Sequence, residues 1–206
     1  MVFSSLTFLL WFLPCVLLVY FLVPKKAKNA ILFAFSLLFY AWGEPIYVGL
    51  MIFSTVLDYC CGRAVEKFRG TLKAKIGLLV SVIVNLSLLC LFKYADFLLG
   101  TVNGIFGCNI PLLNLPLPIG ISFYTFQTMS YTIDVYRGDA KVQNNIISFG
   151  AYVSLFPQLI AGPIVRYQTI ADQIDERTHS FDKFGECVKL FVCGLGKKVQ
   201  LANNIG

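Results

Sequence analysis

The chain has 206 residues, of which 57% are hydrophobic and 14% are charged, whereas an ordinary soluble domain has about 25% charged residues. This composition excludes an ordinary water-soluble domain, because the polar side chains are too few to cover so much apolar surface. The formal net charge is +6, but the basic residues gather between apolar runs, in residues 25–28 and 63–75, where the positive-inside rule places cytoplasmic loops. We therefore expect a lipid bilayer as a partner and no nucleic acid.

The first apolar run covers residues 2–23 and contains no charged residue. Crossing about 30 Å of hydrocarbon takes roughly 20 helical residues, so this run is long enough. Lys25, Lys26 and Lys28 follow it directly, and only Met1 precedes it. A cleavable signal peptide carries its positive charge before the apolar stretch, so the run predicts a retained transmembrane helix with a basic stop.

The next apolar segments predict three more helices. Residues 29–42 and 46–57 form the second and third helices, a pair that is broken by Gly43, Glu44 and Pro45, and residues 76–92 form the fourth helix. Residues 94–115 are rich in glycine, asparagine and proline, which favour turns. We interpret this stretch as an outer loop with short helical or re-entrant pieces, too broken to span.

The second half of the chain predicts a helix over residues 118–134, an apolar run over 146–161, a hydrophilic stretch over 166–184, and an amphipathic or membrane-entering helix over 187–205. Together the segments predict an all-α polytopic integral membrane protein, multi-pass in the inner membrane, with one transmembrane domain over residues 1–206. Nothing downstream covers the apolar face of the last helix, so we expect the chain to be part of a longer protein.

A polar stripe runs along the helix predicted for residues 118–134. Its members are spaced by four, three, four and three residues and therefore share one helix face; they are Gly120, Tyr124, Gln127, Tyr131 and Asp134. Unpaired polar groups are costly in hydrocarbon. The stripe therefore predicts either the wall of a substrate path or hydrogen bonds between helices.

A proline-broken segment covers residues 156–167. Pro157 and Pro163 with Gly162 between them cannot form an undistorted helix, because each proline removes a backbone donor and crowds the preceding turn. One interpretation is a broken backbone beside a cavity, where Gln158 and Arg166 donate hydrogen bonds to a carbonyl, phosphate or thioester ligand. The alternative is a kinked helix that ends at an interfacial Arg166 reaching the lipid headgroups.

Other chemistry has little support in the sequence. The seven cysteines lack the paired CxxC spacing of zinc sites, and no P-loop, Rossmann fingerprint or nucleophile elbow is present. His179 is the single histidine and lies in a polar stretch, where a general base would lack a substrate hydroxyl within reach. We therefore predict no metal site and assign no catalytic residue.

Several motifs resemble one family of enzymes. Residues 117–127, 131–138 and 156–167, together with 39–43 and 194–198, are similar to the membrane-bound O-acyltransferases, and within them to the bacterial alginate O-acetylation branch. The resemblance covers nearly the whole chain in the right order.

The resemblance implies the N-terminal part of a helical ring with kinked and re-entrant helices. It implies an acyl group taken from a cytoplasmic thioester, acetyl-CoA or an acyl carrier, and passed to a hydroxyl of an exported polysaccharide such as alginate, with periplasmic or extracellular acetyltransferase partner proteins and no bound cofactor. The expected catalytic histidine lies downstream, so this chain alone is expected to be inactive. The substrate-path candidates are Gln127, Tyr131, Asp134, Pro157, Gln158, Gly162, Pro163, Arg166 and Tyr167.

Two other functions stay open at this point. A small transporter or channel-like protein would use the polar stripe as a pore and would suit the broken helices. The sequence shows no second half with matching breaks and no intramembrane acidic cluster for ion coupling. The other alternative is an inactive truncated product.

Overall fold

The computed structural model describes residues 5–159, 165–175, 177 and 180–197. The secondary structure of this part of the chain is helical, without strands. Within the described residues, a π-helical turn, Phe8–Phe12, leads into nine α-helices: α1 (Leu13–Leu22), α2 (Lys28–Gly43), α3 (Val48–Lys67), α4 (Leu72–Phe106), α5 (Ile121–Arg137), α6 (Ile146–Ser154), α7 (Phe156–Leu159), α8 (Tyr167–Asp175) and α9 (Phe181–Lys197).

The first predicted helix is confirmed over its described residues. The backbone N–H of Leu13 donates to the carbonyl of Phe8, five residues earlier, which is the π-helical pattern. Pro14 follows at the start of α1, where its missing N–H costs least. The helix ends at Val23, whose backbone is extended with φ −83° and ψ 151°, as the residue before a proline prefers.

The predicted break between the second and third helices is confirmed, but the third helix is longer than expected. Glu44 leaves the helical region before Pro45, with φ −144° and ψ 76°. Helix α3 then continues to Lys67 rather than ending near residue 57. The basic residues that suggested a loop favour helix, so the chain turns only around Gly70, whose φ is +80°.

Helix α4 corrects the prediction for residues 94–115. The helix runs without a break through Gly100 and Gly104 to Phe106, because an interior glycine costs only about 1 kcal/mol and does not prevent a helix. It ends at Gly107, where φ is +63°. The 35 residues of α4 span about 52 Å at 1.5 Å per residue. Only the part after Gly107 is irregular, as predicted.

The irregular segment after α4 is tied to the break between α2 and α3. The Glu44 carboxylate accepts a hydrogen bond from the Ile119 N–H at 2.8 Å, and the Tyr40 hydroxyl donates to the Ile119 carbonyl at 3.0 Å. The Tyr47 hydroxyl donates to the Pro116 carbonyl oxygen at 3.1 Å. These contacts hold the start of α5 next to α3, against which α5 packs.

A buried polar network holds α3 against α4. The Asp58 carboxylate accepts hydrogen bonds from the Ser81 hydroxyl at 2.5 Å and from the Asn85 amide at 2.8 Å. The Ser54 hydroxyl donates to the Asn85 carbonyl oxygen at 2.7 Å. All four side chains are fully buried, so each polar group replaces water with a protein partner.

Two clusters of apolar side chains form the core. The larger one lies among α2, α3, α4, α5, α6 and α8. It includes Met51, Val65, Tyr124, Tyr131, Val135, Phe149, Tyr152 and Tyr167. The smaller one is aromatic and holds the π-helical turn and α1 against α2 and α7 through Phe8, Val16, Phe39 and Phe156. The start of the described chain and the segment around Phe156 therefore both pack onto α2.

Helix α9 begins six residues before the predicted amphipathic helix and lies apart from this core. None of its described residues is buried, and Phe181 is 94% exposed. Its side chain contacts include one ring pair, Phe21 and Phe184, with centroids 5.9 Å apart. The amphipathic character is confirmed, and residues 198–205 of that prediction lie outside the described residues.

Removing one member of the Asp58 network should destabilise the protein. In Asn85→Ala, the buried Asp58 oxygen and the Ser54 hydroxyl each lose a partner, which costs about 2–4 kcal/mol. The matched control is Ser87→Ala, an exposed position two residues along the same helix. Thermal unfolding in detergent should show a clearly lower midpoint for the first variant only; equal midpoints would contradict the structural role of the network.

Candidate functional site

The polar stripe of α5 faces the protein interior. Tyr124, Gln127, Tyr131 and Asp134 are each at most 5% exposed. Gly120 precedes the helix and adopts φ +75°. A Cβ atom at Gly120 would lie 3.0 Å from the Leu159 carbonyl oxygen, so glycine is needed for this close approach of α5 to α7.

Two stripe residues bind the neighbouring helix α6 and the loop that precedes it. The Gln127 side-chain amide donates to the Tyr152 carbonyl at 2.9 Å. The Tyr131 hydroxyl accepts a hydrogen bond from the Gln143 N–H at 3.0 Å. For Gln127 and Tyr131 these contacts favour the interpretation of hydrogen bonds between elements, which the sequence had left open.

Asp134 and Tyr124 differ from the other members of the stripe. The Oδ2 atom of Asp134 and the hydroxyl of Tyr124 are buried and have no hydrogen-bond partner among the described residues. The backbone carbonyl of Asp134 accepts from the Asp139 N–H at 2.9 Å and the Ala140 N–H at 3.3 Å, which closes the end of α5.

Four aromatic rings meet where α5, α6 and α8 converge. Tyr131 lies 4.6 Å from Phe149 and 5.0 Å from Tyr167 between ring centroids, and Tyr152 lies 5.3 Å from Tyr167. The Tyr167 hydroxyl accepts from the Gln143 side-chain amide at 3.0 Å. The structure thus brings Tyr131 and Tyr167, both predicted from the sequence, into one cluster.

A break at Leu155 separates α6 from α7, directly before the proline-broken segment. The chain leaves the helix at Leu155, with ψ 110°, two residues before Pro157. In an unbroken helix the ring of Pro157 would crowd the Val153 carbonyl, four residues earlier. The Phe156 N–H donates to the Ser36 hydroxyl of α2 at 3.3 Å, so a neighbouring helix satisfies the donor that the break sets free.

A cavity of about 310 Å³ lies beside this break. It is lined by α1, α2, α6 and α8, with apolar walls that include Leu32, Leu155 and Ile170. Gln158 also lines it, and the Gln158 side-chain nitrogen is buried without a hydrogen-bond partner among the described residues. An unpaired buried donor costs free energy, which a ligand with an acceptor oxygen would recover.

Polar side chains from distant parts of the chain complete this cavity. Arg177 donates from Nε to the Gln173 carbonyl at 2.7 Å and from Nη1 to the Tyr20 hydroxyl at 3.4 Å. Tyr20, Gln173 and Arg177 all line the cavity. The sequence did not point to them, because 157 residues separate Tyr20 from Arg177 and no local motif contains both.

The remaining predicted site residues lie elsewhere or outside the described part of the chain. Pro157 and Arg166 are exposed, and the Arg166 carbonyl accepts from the Thr169 N–H at 3.1 Å at the start of α8. Gly162, Pro163 and His179 lie outside the described residues. Of the predicted path, the structure therefore brings Gln127, Tyr131 and Tyr167 together and puts Gln158 at the adjoining cavity.

Comparison with known proteins identifies relatives across the whole chain. "Probable alginate O-acetylase AlgI" of Azotobacter vinelandii is 42% identical over 210 residues, which cover 100% of this chain and 42% of that protein. The protein of the same name from Pseudomonas aeruginosa is 42% identical, with 100% and 40% covered. "Peptidoglycan O-acetyltransferase" of Helicobacter pylori is 30% identical, with 99% and 45% covered.

The chain is similar over its whole length to these O-acetylases. The resemblance to the alginate O-acetylation branch of the membrane-bound O-acyltransferases is thereby confirmed. The chain spans about two fifths of the length of the alginate O-acetylases that it matches. No family model matches the chain, and no solved structure does.

Loss of the Tyr131 hydroxyl should loosen the aromatic cluster. Tyr131→Phe leaves the buried Gln143 N–H without its acceptor and should cost about 1–3 kcal/mol of the unfolding free energy. Tyr94→Phe is the matched control, because Tyr94 is exposed. Thermal unfolding in detergent measures both changes, and a midpoint as high as that of the control would show that the Tyr131 hydroxyl does not hold the cluster.

Proposed function

We propose that this chain is part of a membrane-embedded O-acetyltransferase that acetylates an exported polysaccharide such as alginate. The observation that carries the proposal is the match over the whole chain to relatives named as alginate O-acetylases. A peptidoglycan O-acetyltransferase is also related, and both names describe the O-acetylation of a polymer that contains carbohydrate.

A multi-pass position in the inner membrane is supported by the apolar surface of the helices. Helices α3 and α4 are long and apolar enough to cross a bilayer. In the apolar 18-residue stretch of α4, only 17% of the residues are buried in the protein. So much exposed apolar surface marks contact with lipid or with another protein surface. At about 52 Å, α4 is longer than the hydrocarbon core of roughly 30 Å, so it would tilt or project from it.

The charge distribution supports a cytoplasmic position for one end of the bundle. Because α2 runs back from Lys28 and α3 returns to Lys67, the basic residues at 25–28 and 63–75 lie at one end of the bundle. That end is the cytoplasmic side by the positive-inside rule. In the proposed enzyme these helices form part of the family's ring, and the acetyl group enters from this side.

The cavity beside the α6–α7 break is the proposed passage for the acyl group. The donor is a thioester, acetyl-CoA or an acyl carrier. Its C–S bond breaks as a C–O bond forms to the acceptor hydroxyl, and the hydroxyl proton ends on the sulfur, which leaves as a free thiol. The Gln158 amide nitrogen, which has no partner among the described residues, would donate a hydrogen bond to the acyl carbonyl oxygen, on which negative charge develops during transfer. Acetyltransferase proteins on the outer side are the proposed partners.

The transporter alternative has less support. Gln127 and Tyr131 of the polar stripe bind α6 and the loop before it, and Asp58 is enclosed by Ser81 and Asn85. Groups that line an ion or solute path would remain available to the solute. These polar groups are occupied by the protein itself.

Gln158→Leu in the full-length protein should lower the acetyl content of the exported polysaccharide by roughly tenfold. Leucine keeps the size of the side chain but removes the donor, and one lost hydrogen bond to a developing oxyanion is worth at least a factor of ten. The measurement is acetate released from the purified polysaccharide by mild base, normalised to the amount of enzyme in the membrane.

Gln168→Leu is the control for this experiment, because Gln168 is exposed on α8, and it should keep the normal acetyl content. If Gln158→Leu also keeps it at a normal enzyme level, Gln158 does not bind the acyl group. If deletion of the whole gene leaves acetylation unchanged, the proposed enzyme function itself is wrong.

A further inference from the structure

A second cavity lies at the turn between α3 and α4, away from the α6–α7 break. Its volume is about 450 Å³. Two cationic side chains, Arg69 and Lys75, line it together with the hydroxyl-bearing Thr71 and Tyr136, and Val65 and Leu72 add apolar walls. Positive charge, hydroxyl donors and apolar walls in one cavity suit an anionic amphiphile.

The surroundings of this cavity are strongly basic. Residues 63–75 contain five cationic side chains and one acidic side chain, Glu66, which gives a net charge of +4. The ammonium groups of Lys67 and Lys73 lie 5.6 Å and 5.2 Å from the centre of the Phe68 ring. Cations around an aromatic side chain are typical of the boundary between lipid headgroups and hydrocarbon.

The two cations that line the cavity differ in their partners. Arg69 pairs with Glu66 at 2.5 Å and donates to the Val135 carbonyl at 2.9 Å, so one of its nitrogens is held against α5. Lys75 has no hydrogen bond or ion pair to another described residue. An anion in the cavity would therefore find Lys75 available and Arg69 already oriented by α5.

The apolar surface next to the cavity indicates what the anion is attached to. Leu72, Ile76 and Leu79 follow along α4 and are 73%, 51% and 48% exposed. Acyl chains that start at the cavity would lie against this surface, whereas a free phosphate would leave it uncovered. Cation clusters at the cytoplasmic end of a membrane helix are the sequence feature that recognises anionic lipids.

We infer that the cavity at the α3–α4 turn binds the phosphate group of an anionic phospholipid, with Lys75 and Arg69 as its cationic ligands and the adjoining face of α4 as the seat of its acyl chains. The inference rests on the membrane position in the proposed function, but it does not depend on acetyl transfer. The bound headgroup would join the α3–α4 turn to the C-terminal end of α5 through Arg69.

The test uses the purified full-length protein in detergent and titrates it with phosphatidylglycerol, phosphatidylcholine and, separately, inorganic phosphate. Binding is measured by native mass spectrometry of the protein–lipid complexes. Lys75→Gln should weaken phosphatidylglycerol binding by roughly fivefold, the effect of one lysine near an anionic lipid surface. Phosphatidylcholine, which carries no net charge, should bind weakly both to the unaltered protein and to the Lys75→Gln variant.

Lys26→Gln is the matched control, since Lys26 is an exposed cation at the same end of the protein but outside the cavity. It should keep phosphatidylglycerol binding. Equal losses in both variants would overturn the site in favour of a diffuse basic surface, and displacement of the lipid by inorganic phosphate would overturn the lipid in favour of a free phosphate. Arg69→Gln is a second variant, and it should also weaken phosphatidylglycerol binding. This comparison applies when its thermal unfolding midpoint equals that of the unaltered protein.

Measuring the acetyl content of the polysaccharide beside lipid binding distinguishes a failure of this inference from a failure of the proposed function. Loss of phosphatidylglycerol binding by Lys75→Gln supports the lipid site whether or not acetylation changes. A protein that stays soluble without detergent would contradict the membrane position and, with it, the lipid site. Normal lipid binding by Lys75→Gln contradicts only the inference and leaves the proposed acetyltransferase untouched.

Discussion

The buried carboxylate of Asp58 sets a constraint that the rest of the bundle must meet. A charged or polar group can stay in an apolar interior only when hydrogen bonds replace the water that it loses. Ser81 and Asn85 of α4 provide these bonds, and Ser54 provides the partner of Asn85. Because α3 and α4 are thereby held in one register, α5 finds a fixed surface against which to pack.

The same rule explains where the candidate site lies. Gln127 and Tyr131 satisfy their polar groups on α6 and its preceding loop, and the N–H released by the break before Pro157 is taken by Ser36. Gln158 is an exception: its amide nitrogen is buried at a cavity and has no partner in the described part of the chain. In a structure that pairs its polar groups so widely, such a donor is the place to expect a ligand.

The two ends of the bundle carry different structural features. One end holds the α3–α4 turn, whose cations and cavity suit a lipid phosphate. The other end holds the loop after α4, tied to the α2–α3 break by Glu44 and Tyr40. The cavity beside α7 lies among α1, α2, α6 and α8. The proposed lipid site and the proposed acyl passage are therefore formed by different sets of helices, so one can be altered without the other.

The sequence by itself determined the helical class, the break at Pro45 and the inward face of α5, because apolar run length, proline and helical periodicity are local properties of the chain. It misjudged the ends of α3 and α4, since charged residues and interior glycines weaken a helix without ending it. Only the tertiary structure decided that Asp58 is paired, that Tyr131 meets Tyr167, and that Tyr20 and Arg177 join Gln158 around one cavity. These groups are far apart along the chain, and packing of the helices alone brings them together.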